Sequence, residues 1–203
     1  MLLFAYLENN SSKQNSADDF ERVAKIRAGD EKAFEELFFE YYNQLSRFAN
    51  TITKSREFAR DTVQDVFLKI WRNRANWEIH ISIKVYLYQS VRNQSLNLLE
   101  KQKTRQRLNE KLQIDQSSYS NRYYENDNYP SSISERELKL LKRVWELVDQ
   151  MPERRKLVFE LNRKHGLSYK EIAKVLNIAR KTVENHVAQA LQFLRDNIDA
   201  DNY

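Results

Sequence analysis

The sequence contains no cysteine, and only two glycines and two prolines among its 203 residues. The absence of cysteine excludes disulfide bonds, thiolate chemistry and thiolate metal sites. So few glycines and prolines argue against a turn-rich β fold, which uses these residues to reverse the chain. No apolar run reaches membrane-spanning length, and no basic residue precedes the apolar opening MLLFAYL as a signal peptide requires. The composition therefore predicts a cytoplasmic, all-α protein without membrane insertion.

Charge is distributed unevenly along the chain. Residues 1–100 carry 14 basic and 14 acidic side chains, whereas residues 101–203 carry 20 basic and 15 acidic ones. Four basic residues and no acid lie in 101–107 (KQKTRQR), and nine basic residues lie in 154–181 against two acids. Each block alone fits a solvated helical surface as well as a binding surface. Two such blocks favour a polyanionic partner, and nucleic acid is the polyanion that basic patches on helices commonly bind.

Hydrophobic periodicity divides the chain into two small helical domains. Helices are predicted from residue 30 to about 53, from 55 to 71, and from about 82 to 107. The segment 115–134 lacks any period and is rich in Ser, Asn and Tyr, which predicts a flexible linker. Helices resume at Glu135. The predicted divisions are an unassigned extension (1–19), a first domain (20–107), a linker (108–134) and a second domain (135–203).

The stretch 168–191 has the pattern of a helix-turn-helix. Ser168 and Glu171 are spaced as a capping box, and Asn177 is a turn residue that tolerates a left-handed backbone. In the second helix, Val183 and Val187 begin an apolar face at helical spacing. The other positions of this helix carry polar side chains: Arg180, Lys181, Thr182, Glu184, Asn185, His186 and Gln189. Such a polar, hydrogen-bonding face is unusual for a helix whose apolar side already serves packing, and it leaves open whether the helix contacts a ligand.

A second candidate surface lies in 59–71 (ARDTVQDVFLKIW). The apolar residues of this segment already account for one full packing face of a helix. Asp61, Gln64 and Asp65 line the opposite side. A solvated surface is the commoner interpretation of such a polar side.

Aromatic and amide residues alternate in 76–99 (NWEIHISIKVYLYQSVRNQSLNLL). Single-stranded DNA binding uses this combination, because bases stack on aromatic rings while basic groups hold the phosphates. For Tyr86 and Tyr88 individually, burial in the core explains the pattern at least as well.

Taken in order, these segments resemble the extracytoplasmic-function (ECF) sigma factors of bacterial RNA polymerase, in the sigma-70 family, over about residues 20–197. The run 61–71 (DTVQDVFLKIW) resembles the family's polymerase-binding segment, and 86–99 resembles its minus-ten segment. The run 151–187, from MPERR to ENHV, is similar to its minus-thirty-five domain. The resemblance implies a sigma region 2 bundle, a sigma region 4 helix-turn-helix, and a role in promoter-specific transcription initiation.

The resemblance also implies roles for individual residues. Asp61, Gln64, Asp65 and Phe67 would bind core RNA polymerase. Minus-ten DNA would be bound by Trp77, Tyr86, Gln89, Arg92, Asn93, Lys101 and Lys103, with Asn93 and Trp77 capturing a flipped-out base. Minus-thirty-five DNA would be bound by Arg180, Lys181, Thr182, Glu184, Asn185, His186 and Gln189. The chain departs from the family pattern at Arg60, Tyr86, Asn97, Glu100 and Asn177, and the acid at Glu100 bears on the phosphate contacts.

The implied partners are core RNA polymerase and promoter DNA, both duplex and melted strand, and the resemblance admits an anti-sigma factor as a further partner. A stand-alone helix-turn-helix regulator is the alternative function. An enzyme is disfavoured, because His80, His165 and His186 lie far apart and no acid pair or phosphate-binding glycine loop accompanies them. No catalytic residue, cofactor or metal site is therefore expected.

Overall fold

The computed structural model describes residues 16–110 and 134–200, with side chains over 18–105 and 134–198. Every regular element in these ranges is helical, which confirms the all-α prediction. The chain divides into two compact units, and residues 16–110 and 134–200 fall in separate ones. Most of the predicted extension 1–19 and of the predicted linker 108–134 lies outside the described residues.

The first unit contains four α-helices and a short turn in the described residues. They are α1 (Ser16–Arg27), α2 (Glu31–Thr53), α3 (Arg56–Arg72), a single 3₁₀ turn (Arg74–Asn76) and α4 (Ile83–Glu110). Hydrophobic periodicity predicts α2, α3 and α4 closely, although α4 continues to Glu110, inside the predicted linker. It does not predict α1, which packs against α2 and the 3₁₀ turn.

Side-chain caps determine where α2 and α3 begin. The Asp30 carboxylate accepts a hydrogen bond from the Ala33 N–H at 3.0 Å. The Ser55 hydroxyl oxygen accepts one from the Phe58 N–H at 3.4 Å, as the sequence predicts. Each cap satisfies an amide that has no partner within its own helix. Between the two helices, Lys54 reverses the chain in a left-handed conformation, with φ of 56°.

Aromatic rings join the three long helices of the first unit. Phe38 of α2 meets Phe67 of α3 edge to face, with ring centroids 5.0 Å apart. At the other side of α2, Phe48 packs on Tyr88 of α4 at 5.0 Å. Phe48, Phe67 and Tyr88 are buried. Such ring pairs contribute about 0.5–1.5 kcal/mol each beyond the area that they bury.

The second unit is built around its last helix. It consists of α5 (Glu135–Asp149), α6 (Glu153–Arg163), α7 (Tyr169–Leu176) and α8 (Arg180–Ala200) in the described residues. All three preceding helices pack against α8. Pro152 is the N-cap of α6. Gly166 follows this helix in a left-handed conformation, with φ of 60°.

Candidate nucleic-acid interface

Helices α7 and α8 form the predicted helix-turn-helix. Ser168 and Glu171 make the full capping box: the Ser168 N–H donates to the Glu171 carboxylate at 2.8 Å, and the Glu171 N–H donates to the Ser168 hydroxyl at 3.3 Å. Asn177 is left-handed, with φ of 54°. The Ile178 N–H then donates to the Ala173 carbonyl at 3.0 Å, which closes the end of α7. Local sequence therefore determines where α7 begins and ends.

Helix α8 is divided lengthwise into a buried face and an exposed face. Val183, Val187, Ala190 and Leu194 are buried against the other helices of the unit. The predicted minus-thirty-five residues lie on the remaining surface, where Arg180, Lys181, Thr182, Asn185 and Gln189 are exposed and Glu184 and His186 are half-buried. Because packing uses the opposite side of the helix, these polar side chains are available to a ligand.

Glu184 holds the cations at the start of α8. Its carboxylate accepts from the Arg180 guanidinium at 3.0 Å, and the Lys181 ammonium lies 3.7 Å from its other oxygen. The resemblance implies that Glu184 binds minus-thirty-five DNA. In the structure it orients Arg180 and Lys181 and offsets part of their charge.

Gln189 is held by a residue from another helix. The Arg155 guanidinium of α6 donates to the Gln189 side-chain oxygen at 3.0 Å. In the sequence, Arg155 is only one of nine basic residues in the block 154–181. Charge composition identifies the basic block as a whole. Only the contact with Gln189 in the folded protein distinguishes Arg155 from its neighbours.

In the first unit, the outer face of α3 carries a narrow exposed strip. Asp61, Gln64 and Asp65 are exposed, as the sequence predicts. Leu68, which the sequence pattern alone does not single out, is 44% exposed. These residues follow at i, i+3, i+4 and i+7, so they share one side of the helix. That spacing is the signal by which Leu68 could have been found.

The prediction that Phe67 binds polymerase needs correction, because the Phe67 side chain is only 2% exposed. Its ring packs edge to face on Phe34 and Phe38 of α2, with centroids 6.0 and 5.0 Å away. A side chain enclosed in this way cannot reach a partner. Phe67 therefore belongs to the core of the first unit and supports α3 from behind.

Asp65 has a structural contact that the sequence does not reveal. Its carboxylate accepts from the Gln94 amide of α4 at 3.3 Å, and the Gln94 oxygen accepts from the Lys69 ammonium at 2.8 Å. Through these two hydrogen bonds, Gln94 connects α4 to α3 at the protein surface. Asp65 thus combines exposure with a role in orienting the two helices.

The predicted minus-ten residues are distributed along α4 and the segment before it. Asn93 is exposed, and the neighbouring Arg92 guanidinium donates to its side-chain oxygen at 3.5 Å. Gln89 and Arg92 are half-buried. Toward the end of α4, Lys101 and Lys103 are exposed. The cations and the amide therefore lie on one continuous helix.

Trp77 is buried, with 4% exposure, directly after the 3₁₀ turn. Its ring meets that of Tyr86 at a centroid distance of 5.7 Å. Tyr86 is half-buried and retains an exposed part. Tyr88 is fully buried, and this burial raises the pKa of its phenol. Of the three aromatic residues, Tyr86 is the one whose ring is accessible.

A helix-turn-helix with a polar outer face, joined in one chain to an all-α unit with an exposed acidic and amide strip, defines a DNA-binding transcription protein. Two family models match the chain: Sigma-70 region 2 over residues 37–105, and Sigma-70, region 4 over residues 141–194. The first match spans the α3 strip and α4, and the second spans the helix-turn-helix.

Curated relatives match most of the chain. The ECF RNA polymerase sigma-E factor of Haemophilus influenzae is 26% identical over 180 residues, covering 87% of this chain and 93% of that protein. The RNA polymerase sigma-H factor of Pseudomonas aeruginosa is 24% identical over 177 residues, covering 85% and 89%. The sigma-E factor of Escherichia coli is 23% identical over 178 residues, covering 87% and 92%.

Solved structures share the fold. The structure of CnrH in complex with the cytosolic domain of CnrY aligns with a TM-score of 0.57 at 20% identity, covering 90% of this chain and 98% of that one. The sigma factor RpoE of Bartonella quintana, in complex with the anti-sigma factor NepR, aligns with a TM-score of 0.57 at 19% identity, covering 84% and 99%.

The chain belongs to the sigma-70 family, as an extracytoplasmic-function sigma factor. It acts in transcription initiation, where sigma factors bind core RNA polymerase and promoter DNA. The comparisons give no support to the alternative of a stand-alone regulator. Among the described residues, no helix has both the length and the apolar character needed to cross a membrane.

Proposed function

We propose that the first unit docks on core RNA polymerase through Asp61, Gln64, Asp65 and Leu68, the exposed strip of α3. Leu68 supports this proposal, because a leucine with 44% exposure lies within a row of polar side chains. Protein interfaces have this composition, an apolar centre inside a polar rim. Phe34, Phe38 and Phe67 hold α3 from behind and keep the strip rigid.

The same unit captures an unpaired base of the minus-ten element at Asn93. Exposure of the Asn93 amide supports this role, since an amide can pair with a base edge once the base leaves the stack. Tyr86 offers the stacking surface, and buried Trp77 supports the Tyr86 ring rather than contacting the base itself. Gln89 and Arg92 lie beside Asn93 on α4 and contribute to the same contact, and Lys101 and Lys103 contact phosphates.

The second unit places α8 in the major groove of the minus-thirty-five duplex. Arg180, Lys181 and Thr182 contact phosphates, with Glu184 holding the two cations in place. Asn185, His186 and Gln189 face base edges. The observation that carries this proposal is the lengthwise division of α8, whose apolar side is buried while its amide and cationic side is exposed.

Further parts of the proposal rest on the relatives. We assign residues 20–107 to region 2 and 135–203 to region 4, and we place the protein in the cytoplasm as a non-enzymatic regulator. An anti-sigma factor binds this chain as well. The complex of the Bartonella quintana sigma factor with an anti-sigma factor supports this last assignment.

Run-off transcription tests the proposal. Purified chain is added to core RNA polymerase on a library of genomic fragments, and the transcript starts are mapped. Starts that share minus-ten and minus-thirty-five sequences and that depend on the chain are expected. If the chain bound duplex DNA tightly but produced no such starts, the proposal would be wrong.

A further inference from the structure

The contact between Arg155 and Gln189 crosses from α6 to the exposed face of α8. Arg155 is half-buried, and its Nη2 lies 3.0 Å from the Gln189 Oε1. Its Nε is buried and has no hydrogen-bond partner in the described part of the chain. The base of the guanidinium is therefore enclosed by the unit, while its tip reaches a side chain at the surface.

The chemistry of the two groups determines how the glutamine is oriented. A guanidinium has five N–H donors and no acceptor, whereas an amide has one oxygen acceptor and an NH₂ group with two donors. Only the oxygen of Gln189 can therefore face Arg155. The NH₂ group is directed away from α6. An exposed glutamine without such a partner can turn its amide over and offer either group.

Asn185 provides the comparison within the same helix. It lies four residues before Gln189 on the exposed face, and no residue in the described ranges holds its amide. Asn185 can therefore donate and accept together, as bidentate pairing with adenine requires. The Gln189 oxygen is turned toward Arg155, so the group of Gln189 that faces away from α6 is its NH₂ donor.

We infer that Arg155 is a positioning residue that makes Gln189 select guanine over adenine at one base pair of the minus-thirty-five element. The inference rests on the proposed placement of α8 in the major groove. There, guanine presents two acceptors, O6 and N7, whereas adenine presents the N7 acceptor and the N6 donor. An NH₂ group fits the two acceptors of guanine. Opposite adenine, the NH₂ group of Gln189 would face the N6 amino group, which is also a donor, so no hydrogen bond forms between them.

The test uses the full chain assembled with core RNA polymerase and a duplex promoter library randomised across the minus-thirty-five element. Bound sequences are counted for the wild type, Arg155→Met, Gln189→Ala and the double variant. The wild type is expected to prefer guanine over adenine at one position, and Gln189→Ala should lose this preference. Arg155→Met should reduce it by about fivefold or more, the lower end for one good base contact, and leave other positions unchanged.

The double variant measures the coupling between the two residues. If Arg155 acts through Gln189, adding Arg155→Met to Gln189→Ala changes base preference no further. Arg154→Met is the matched control, because Arg154 is the exposed neighbour. It should leave the preference for guanine intact. Circular dichroism establishes that each variant is folded.

Arg155→Gln provides a second variant if Arg155→Met does not fold. It should lose the preference too, because an amide can donate or accept and therefore does not force the Gln189 oxygen to face it. Full preference in either folded variant overturns the inference. So does an equal loss of affinity for every sequence, since that pattern marks a phosphate contact. If the wild type shows no sequence preference at any position, the proposed function itself fails. If only the inference fails, the preference at the base pair read by Asn185 remains, and the proposed function stands.

Discussion

The Asp19 carboxylate accepts a hydrogen bond from the backbone N–H of Ile83, with 2.9 Å between Oδ2 and N, across 64 positions of sequence. Ile83 is the first residue of α4, and the first N–H groups of a helix have no partner within it. Both residues are buried. Asp19 is thus a helix cap supplied by a distant helix, and α1 is an integral part of the first unit.

Substitution of Asp19 should therefore affect stability in two different ways. Asp19→Ala leaves the Ile83 N–H buried without an acceptor, which should cost about 1–3 kcal/mol of unfolding free energy. Asp19→Asn keeps an oxygen acceptor and should cost much less. Chemical denaturation of both variants and the wild type measures the difference. Equal losses for the two variants would show that the hydrogen bond is not the cause.

The pH dependence of stability in the Asp19→Asn variant should show how the charge on the Asp19 carboxylate affects folding. Burial raises the pKa of the Asp19 carboxyl above its ordinary value of 3.8, with Glu40 and Asp18 adding to the shift and the Ile83 N–H and Arg22 opposing it. Stability from a group with a raised pKa is present below the unfolded value and is lost as pH rises through the folded value. The Asn variant should therefore gain stability relative to wild type as pH rises from about 4 toward neutrality. If the Asn variant lost stability relative to wild type over this pH range, the prediction would be contradicted.

Replacement of Leu68 by lysine should weaken the complex with core polymerase. The side chain is exposed, so folding is unaffected, but a charge in the apolar centre of an interface should reduce affinity roughly tenfold or more. Phe20→Lys is the matched control, because Phe20 is another exposed apolar residue, on α1. Titration of core polymerase with labelled chain measures both variants. Equal effects would indicate a general change in charge instead of a contact at α3.

Asn93→Ala should reduce discrimination among bases at one minus-ten position and slow open-complex formation. A pre-melted template bypasses duplex opening but should not restore the discrimination, since the amide that pairs with the base is absent. Asn97→Ala, one turn further along α4 and equally exposed, serves as the control. Permanganate footprinting and competition among base variants measure these effects. Unchanged base preference in Asn93→Ala would show that Asn93 does not contact the base.

Trp77→Ala should act through the fold. Trp77 is buried, so its truncation should cost about 3–5 kcal/mol of unfolding free energy. Thermal denaturation of the chain should show this loss, whereas Asn93→Ala should leave the transition unchanged. A stable Trp77→Ala variant with altered base preference would instead indicate direct contact with DNA.

Two substitutions in α8 should separate phosphate binding from base recognition. Lys181→Ala should weaken every minus-thirty-five sequence about equally and lower the salt slope by about one unit, because one phosphate contact is lost. Asn185→Ala should cost roughly 1–3 kcal/mol on the preferred site and relax choice at one base pair. Titrations of single-base variants at two salt concentrations measure both. Uniform losses for Asn185→Ala would assign it to positioning alone.

Much of the candidate site could be predicted because its determinants are local. The Ser168 and Glu171 capping box, the left-handed Asn177 and the apolar face that begins at Val183 all depend on residues within a turn or two of one another. Hydrophobic spacing likewise predicted α2 and α3 almost to the residue. Local hydrogen bonds and side-chain periodicity are properties of short segments, so a short segment suffices to recognise them.

The sequence by itself therefore determined the helices other than α1, the turn between α7 and α8, and the polar face of α8. Tertiary structure decided which exposed-looking residues are available. It buried Phe67 and Trp77, left Leu68 exposed, tied Asp19 to Ile83, and set Arg155 against Gln189. The physical reason is range: helix formation follows neighbours along the chain, whereas burial and the orientation of an amide depend on groups that folding brings together from distant positions.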